Sequence, residues 1–213
     1  MSIRSTDGEI VKWTARQARK IVGNRVSAVT VMMEPATVRG FALLVRDGAG
    51  APDTLWMYLP PVRRVRQLQY AGSDQSFLGT DFTYADIGFM AMRTSTSGAV
   101  ERVRHEGQDA YRLEEVPVEP GLYSRIVTWV SPGSHLPVDR SYYDRAGELW
   151  KVASYRDVAE VDGVATIMTT RVEDKQVGGW SEMKLSEVEY DVDLSDELFK
   201  PEALADLSER KFR

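Results

Sequence analysis

Few side chains in this sequence are of a type and spacing that could do chemistry. His105 and His135 are far apart, each beside a turn signal, with no HExxH or comparable spacing around them, so both read as solvated loop histidines. Cysteine is absent, which removes thiolate nucleophiles, disulfides and cysteine-bound metals. There is no GxSxG elbow, GxxxxGK(S/T) loop or GxGxxG turn either. Three carboxylates, Asp81, Asp86 and Asp144, could converge as the acids of a glycosidase do. Each also has a plainer local role: Asp81 can cap a helix, Asp86 falls in that helix's early turns, and Asp144 opens a hairpin. A small carboxylate-dependent hydrolase is therefore the lesser alternative; no catalytic residue, metal or cofactor is assigned. Arg63, Arg64 and Arg66, interleaved with Val62, Val65 and Leu68, fit a guarded sheet edge or contacts to lipid headgroups or an acidic partner.

These groups are positioned by the stretch from Leu55 to Met92. Leu55 to Leu59 is apolar on both faces, as in a strand covered on both sides, and Pro60 and Pro61 stop it. A Gly/Ser/Asp loop from Ala71 to Ser76 follows. Thr80 or Asp81 then caps a helix beginning at about Phe82. Its apolar residues, Phe82, Tyr84, Ile87, Phe89, Met90 and Met92, are not confined to one narrow stripe, which suits an element buried in a groove. Gly88 inside it costs about 1 kcal/mol relative to alanine, a cost a mobile lid tolerates. Flexible methionines at 57, 90 and 92 suit a pocket for ligands of variable shape.

Two motifs here carry a family resemblance. WMYLPPVRRVRQL, Trp56 to Leu68, resembles the Trp, Leu-Pro and Arg-Val-Arg pattern of the LolA-like outer membrane lipoprotein-sorting family, and FLGTDFTYAD, Phe77 to Asp86, resembles its Phe, Gly, Ser/Thr-Asp-Phe-x-Tyr-x-Asp pattern. The matching positions are Trp56, Leu59, Pro60, Arg64, Val65, Arg66, Phe77, Gly79, Asp81, Phe82, Tyr84 and Asp86. The resemblance implies an α+β fold: a curved antiparallel sheet forming an open, incomplete β-barrel with helices in its concave face. It further implies a periplasmic carrier, not an enzyme, that takes lipid or lipoprotein acyl chains into an apolar cavity for transport towards the outer membrane. Implied partners are those acyl chains, an outer-membrane acceptor and an RND-type inner-membrane transporter; a non-carrying adaptor of such a transporter is the alternative. On this reading Leu43, Val45, Met57, Leu59, Ile126, Val130 and Ile167 form the cavity wall. Phe82, Tyr84, Ile87, Phe89 and Met90 form the lid.

Composition fits one such domain over residues 1–213, since 213 residues with 43% hydrophobic content can bury one substantial core. A formal net charge of -5 argues against a nucleic-acid partner. No run approaches the roughly 18 apolar residues that span a bilayer. The start, MSIRSTDGEIVKW, has no apolar signal core, so export would mean a signal peptide already removed. The rest reads as about ten strands. Glu9 to Val22, ambiguous by periodicity, is a strand by resemblance; Val26 to Met33 and Gly40 to Arg46 follow. Glu106-Gly107, Asp144 to Gly147 and Val161 to Gly163 mark hairpin turns. A last strand from Trp180 to Val192 needs a bulge near Ser186 or Glu187 to keep its apolar residues on one face. Ser195 caps a helical turn, and 194–213 forms a C-terminal helical tail, exposed from Pro201.

Overall fold

A chain whose apolar residues alternate over short runs between turn residues has to pair strands, and this one pairs fifteen among its described residues, all antiparallel. The structure, a computed structural model, describes residues 2–4, 9–23, 25–46, 54–68, 75–87, 95–117 and 122–209. β1 (Ser2–Arg4) and β2 (Ile10–Lys12) begin a ten-stranded sheet. At Trp13 the chain crosses to a five-stranded sheet of β3 (Thr14–Val22), β4 (Arg25–Glu34), β5 (Ala42–Arg46), β6 (Thr54–Leu59) and β7 (Arg64–Leu68). It passes next through residues 75–87, which carry α1 (Tyr84–Ile87). The larger sheet then resumes with β8 (Ser95–Ser97), β9 (Glu101–His105), β10 (Gln108–Pro117), β11 (Arg125–Val130) and β12 (Pro137–Tyr143). β13 (Leu149–Val161), β14 (Val164–Asp174) and β15 (Trp180–Lys184) complete it, and α2 (Ala203–Glu209) ends the described chain.

Among the described residues no strand pairing joins the two sheets, which are linked in sequence at Trp13. β2 and β3, consecutive in sequence, are edge strands of different sheets with buried Trp13 between them, whereas no described pairing joins β7 to β8 or β9 at the far edges. Among the described residues the barrel is open, as the resemblance implies, but it has fifteen strands in two sheets rather than about ten in one. Register shifts at Thr14/Ala15, Trp129/Val130 and Tyr142/Tyr143 supply local bends. The Glu106-Gly107 and Asp162-Gly163 turns stand where the sequence puts them, with positive φ at all four residues.

Alternation gives the small sheet two apolar faces. Met32, Leu43, Val45 and Leu55 join Ile126, Tyr142, Ala153 and Val172 of the large sheet in one buried cluster, together with Phe77, Phe82 and Tyr84. On the opposite face, Val29, Val31, Ala42, Leu44 and Tyr58 are covered by Phe199, Leu204 and Leu207. The C-terminal part is thus no exposed tail as far as residue 209, for Leu204 is 0% exposed. Leu204 and Leu207, three apart in α2, make a stripe too short to stand out against the flanking charges, yet burying each is worth about 1.5–3 kcal/mol. The backbone comes close here: a Cβ on Gly40, whose φ is +79°, would meet Pro60 at 3.3 Å and the Ser208 carbonyl at 3.5 Å. Ser195 does cap the preceding turn, Asp196–Phe199, its Oγ accepting from the Glu197 N–H at 3.3 Å.

Two further expectations need correction. The last strand stops at Lys184, and positive φ at Glu187 and Asp191 replaces the expected bulge and continuing strand. Side-chain bonds then hold the chain along the β13–β14 hairpin, Tyr190 Oη lying 2.9 Å from Thr166 Oγ1 and the Tyr190 N–H donating to Asp162 at 3.1 Å. Nor does α2 join a helix in the concave face, because it covers the other face of the small sheet.

Candidate functional site

The segment 75–87 folds on itself before it reaches the core. Phe77 N donates to the Phe82 carbonyl at 2.7 Å and Thr80 N to the Phe77 carbonyl at 3.0 Å. The turn between passes through Leu78 and Gly79 at positive φ. Thr80 Oγ1 accepts from Phe82 N at 3.2 Å, and Ser76 pairs with Thr83. This loop aims three rings into the space between the sheets, where Phe77 meets Phe41 edge-on at 6.1 Å and Tyr84 at 5.5 Å.

The helix starts later than expected and has a different cap. The described part of α1 starts at Tyr84, and Thr83 caps it in a reciprocal box: Thr83 N donates to Asp86 Oδ2 at 2.8 Å and Asp86 N to Thr83 Oγ1 at 3.2 Å. Thr80 and Asp81 are engaged elsewhere. Ser181 Oγ donates to Asp81 Oδ2 at 2.6 Å and accepts from Asp81 N at 2.9 Å, which pins the loop to β15. Burial lifts the Asp81 carboxyl above its ordinary value, with the Ser181 hydrogen bond opposing.

Asp86 does more than cap. Its Oδ2 takes the Lys151 ammonium at 2.5 Å and its Oδ1 the Tyr123 hydroxyl at 2.8 Å. Lys151 is 1% exposed, and its Nζ stands 4.9 Å from the Trp150 ring centre and 5.2 Å from those of Tyr123 and Tyr142. Burial, then the charge of Asp86, holds the Tyr123 hydroxyl well above its usual range, so it stays a donor. A register shift explains how a lysine comes to lie inside. Tyr142 opposes Lys151 and Tyr143 opposes Leu149, leaving Trp150 as the extra residue of a bulge. Lys151 then shares the inner face with Ala153, while Trp150 also packs against the inner cluster and donates to Asp174 at 3.0 Å. A second cation, Arg140, opposes inward Ala153 and donates to Thr128 Oγ1 at 3.0 Å.

Comparison with known proteins fits this architecture. A family described as "-like: Uncharacterized protein" matches residues 24–206. An outer membrane lipoprotein-sorting protein domain from Vibrio parahaemolyticus superposes with a TM-score of 0.89 at 22% identity, over 96% of this chain and 88% of that one. A DUF1329 family protein from Desulfovibrio piger gives 0.86 at 29% identity, over 95% and 88%. A LolA superfamily protein from Nitrosomonas europaea gives 0.68 at 19% identity, over 93% and 86%. The chain belongs to the family whose model it matches over residues 24–206, and its fold is LolA-like. No curated protein matches it.

Within this LolA-like fold the residues singled out from sequence separate. Leu43, Val45 and Ile126 are buried in the inner cluster, and Met57 and Leu59 pack against it. Val130, beyond the register shift in β11, and Ile167, on the arm of β14, are half-buried outside both clusters. Phe82 and Tyr84 lie in the inner cluster; Phe89 and Met90 fall outside the described residues, as does the Ile87 side chain. Arg63, Arg64 and Arg66 are exposed at the β7 edge, with no ion-pair partner among the described residues. Asp81 and Asp86 approach the same lysine, whose Nζ is 3.5 Å from the Asp81 carbonyl, but Asp144 is in an exposed hairpin, bonded to Gln176 at 2.8 Å.

His105 departs from its expected solvated place. It stacks on Trp129 at 4.4 Å, and its Nε2 lies 2.7 Å from Asp139, a buried carboxylate also held by Arg156 at 2.9 Å. With Glu106 these groups have metal-ligand spacing, but Arg156 already approaches Asp139 and Glu106, the latter at 3.6 Å. His135 sits in an exposed turn, as expected.

Proposed function

We propose that this protein is a periplasmic carrier that takes lipid or lipoprotein acyl chains into the apolar space between its two sheets, for delivery towards the outer membrane. One observation carries the reading: the space is filled by a separate segment rather than by the sheets themselves. Phe77, Phe82 and Tyr84 bury their rings among residues of both sheets, while 75–87 pairs with neither ladder. Moving it aside would expose Leu43, Val45, Leu55, Ile126 and Val172, an apolar lining of the kind acyl chains need. Each acyl CH₂ taken from water contributes about 0.8 kcal/mol, so such a carrier needs a groove and no reactive group. The lipoprotein-sorting name of the Vibrio domain agrees with this reading.

The test is native mass spectrometry of gently purified protein, followed by titration with a fluorescent fatty acid. Co-purified lipid, or saturable one-to-one binding, is expected. Protein that is empty as purified and also fails to bind the fatty acid would overturn the carrier.

A further inference from the structure

We infer that Lys151 is the receptor for the anionic head of the cargo, and that Asp86 occupies that receptor while the protein is empty. The inference rests on the carrier reading and adds a ligand class to it: amphiphiles with one alkyl chain and a negatively charged head.

A buried ammonium needs a negative partner, and the partner here is not part of the wall. Lys151 stands on β13 in the large sheet, whereas Asp86 belongs to the segment 75–87 that must move for the groove to open. When that segment leaves, the carboxylate leaves with it, and the lysine remains among Tyr123, Tyr142 and Trp150 with its charge uncompensated. An incoming carboxylate or phosphate monoester restores what Asp86 supplied: an oxygen for the ammonium and another for the Tyr123 hydroxyl, which now donates to Asp86. The alkyl chain would then lie against Ile126 and Val172 of the same sheet and Leu43 and Val45 opposite. Arg140, on the same inner face, adds positive potential, and its Nε–H is satisfied by the Thr128 hydroxyl. One member of the pair thus stands in the wall and the other on the segment that covers it.

The comparison that tests this is decanoate against decanol, equal in chain length. A groove without a receptor favours the alcohol, because a carboxylate must be desolvated to enter. With the receptor, decanoate should bind more tightly, and Asp86→Asn should raise its affinity about tenfold, the worth of one charge-assisted hydrogen bond no longer contested. Lys151→Met with Asp86→Leu removes both charges while keeping the volume, and the decanoate-to-decanol ratio should invert. The double variant also serves if Asp86→Asn alone does not fold. Decyl phosphate distinguishes the heads: if it outcompetes decanoate, the receptor is for phosphate. Equal or weaker binding of both anions than of decanol overturns the receptor and leaves the carrier intact. So does an anion preference that persists in the double variant. Failure of all three amphiphiles to bind removes the carrier reading, and the receptor with it.

Discussion

The small sheet is covered on both faces by segments that are not part of it, and the two covers are built differently. On the outer face, Phe199, Leu204 and Leu207 meet Val29, Val31, Ala42 and Leu44 in an all-apolar centre. Its polar ties lie at the rim: Lys20 to Asp196 at 2.6 Å and Arg46 Nε to the Phe199 carbonyl at 2.8 Å. On the inner face the cover carries aromatic rings, but its centre also holds the Lys151–Asp86 pair, the Tyr123 hydroxyl and the Asp81–Ser181 bonds. Apolar contacts are non-directional and reward permanent burial, whereas a buried ion pair offsets its own desolvation only at one geometry. The outer cover is therefore a seal formed on folding, and the inner one is a keyed plug whose fit depends on a few polar atoms.

The sharpest way to break this contrast is to damage the key. Lys151→Met leaves Asp86 buried without its cation and should cost about 3–5 kcal/mol in urea denaturation, while the double change to Met and Leu should restore most of it. A single variant as stable as wild type would mean that the pair holds nothing. Next, Leu204→Ala in the seal should cost about 3 kcal/mol and leave the decanoate-to-decanol ratio unchanged. A changed ratio would show that the two faces communicate. Thr83→Ala removes half of the capping box and should cost about 1 kcal/mol, with faster amide exchange confined to residues 83–87.

The smallest effect is one of pH. Because the folded chain holds the Asp81 proton more tightly than the unfolded chain does, stability falls as pH rises from the ordinary value of 3.8 through the raised folded value. Asp81→Asn should remove that decline, so the variant gains on wild type across this interval in a series of urea midpoints. A difference that does not change with pH would contradict the assignment.

The contrast was only partly legible in the sequence. Strict alternation in β5 placed Leu43 and Val45 on one face, and the Gly-containing turns fixed the hairpins. The motif from Phe77 to Asp86 marked the plug without revealing its contacts. Lys151 escaped because the bulge at Trp150 shifts the phase of β13, so that a lysine between Trp150 and Val152 reads as a solvent-facing charge. The seal escaped because Leu204 and Leu207 are two apolar positions among charges, and only the face they meet gives them meaning. His105 read as a loop residue since Asp139 and Trp129 reach it only through strand pairing.

The central claim is that the plug opens while the rest stays folded. Native-state hydrogen exchange with and without decanoate tests it most directly, following the amide of Asp81 in the plug against those of Leu204 and Leu207 in the seal. The Asp81 amide donates to Ser181 Oγ of β15, so opening must release it. It should exchange through local opening that urea hardly accelerates, and faster still once decanoate fills the groove, while the seal amides exchange only on global unfolding. Plug and seal amides exchanging at the same, urea-dependent rate, unmoved by decanoate, would contradict it.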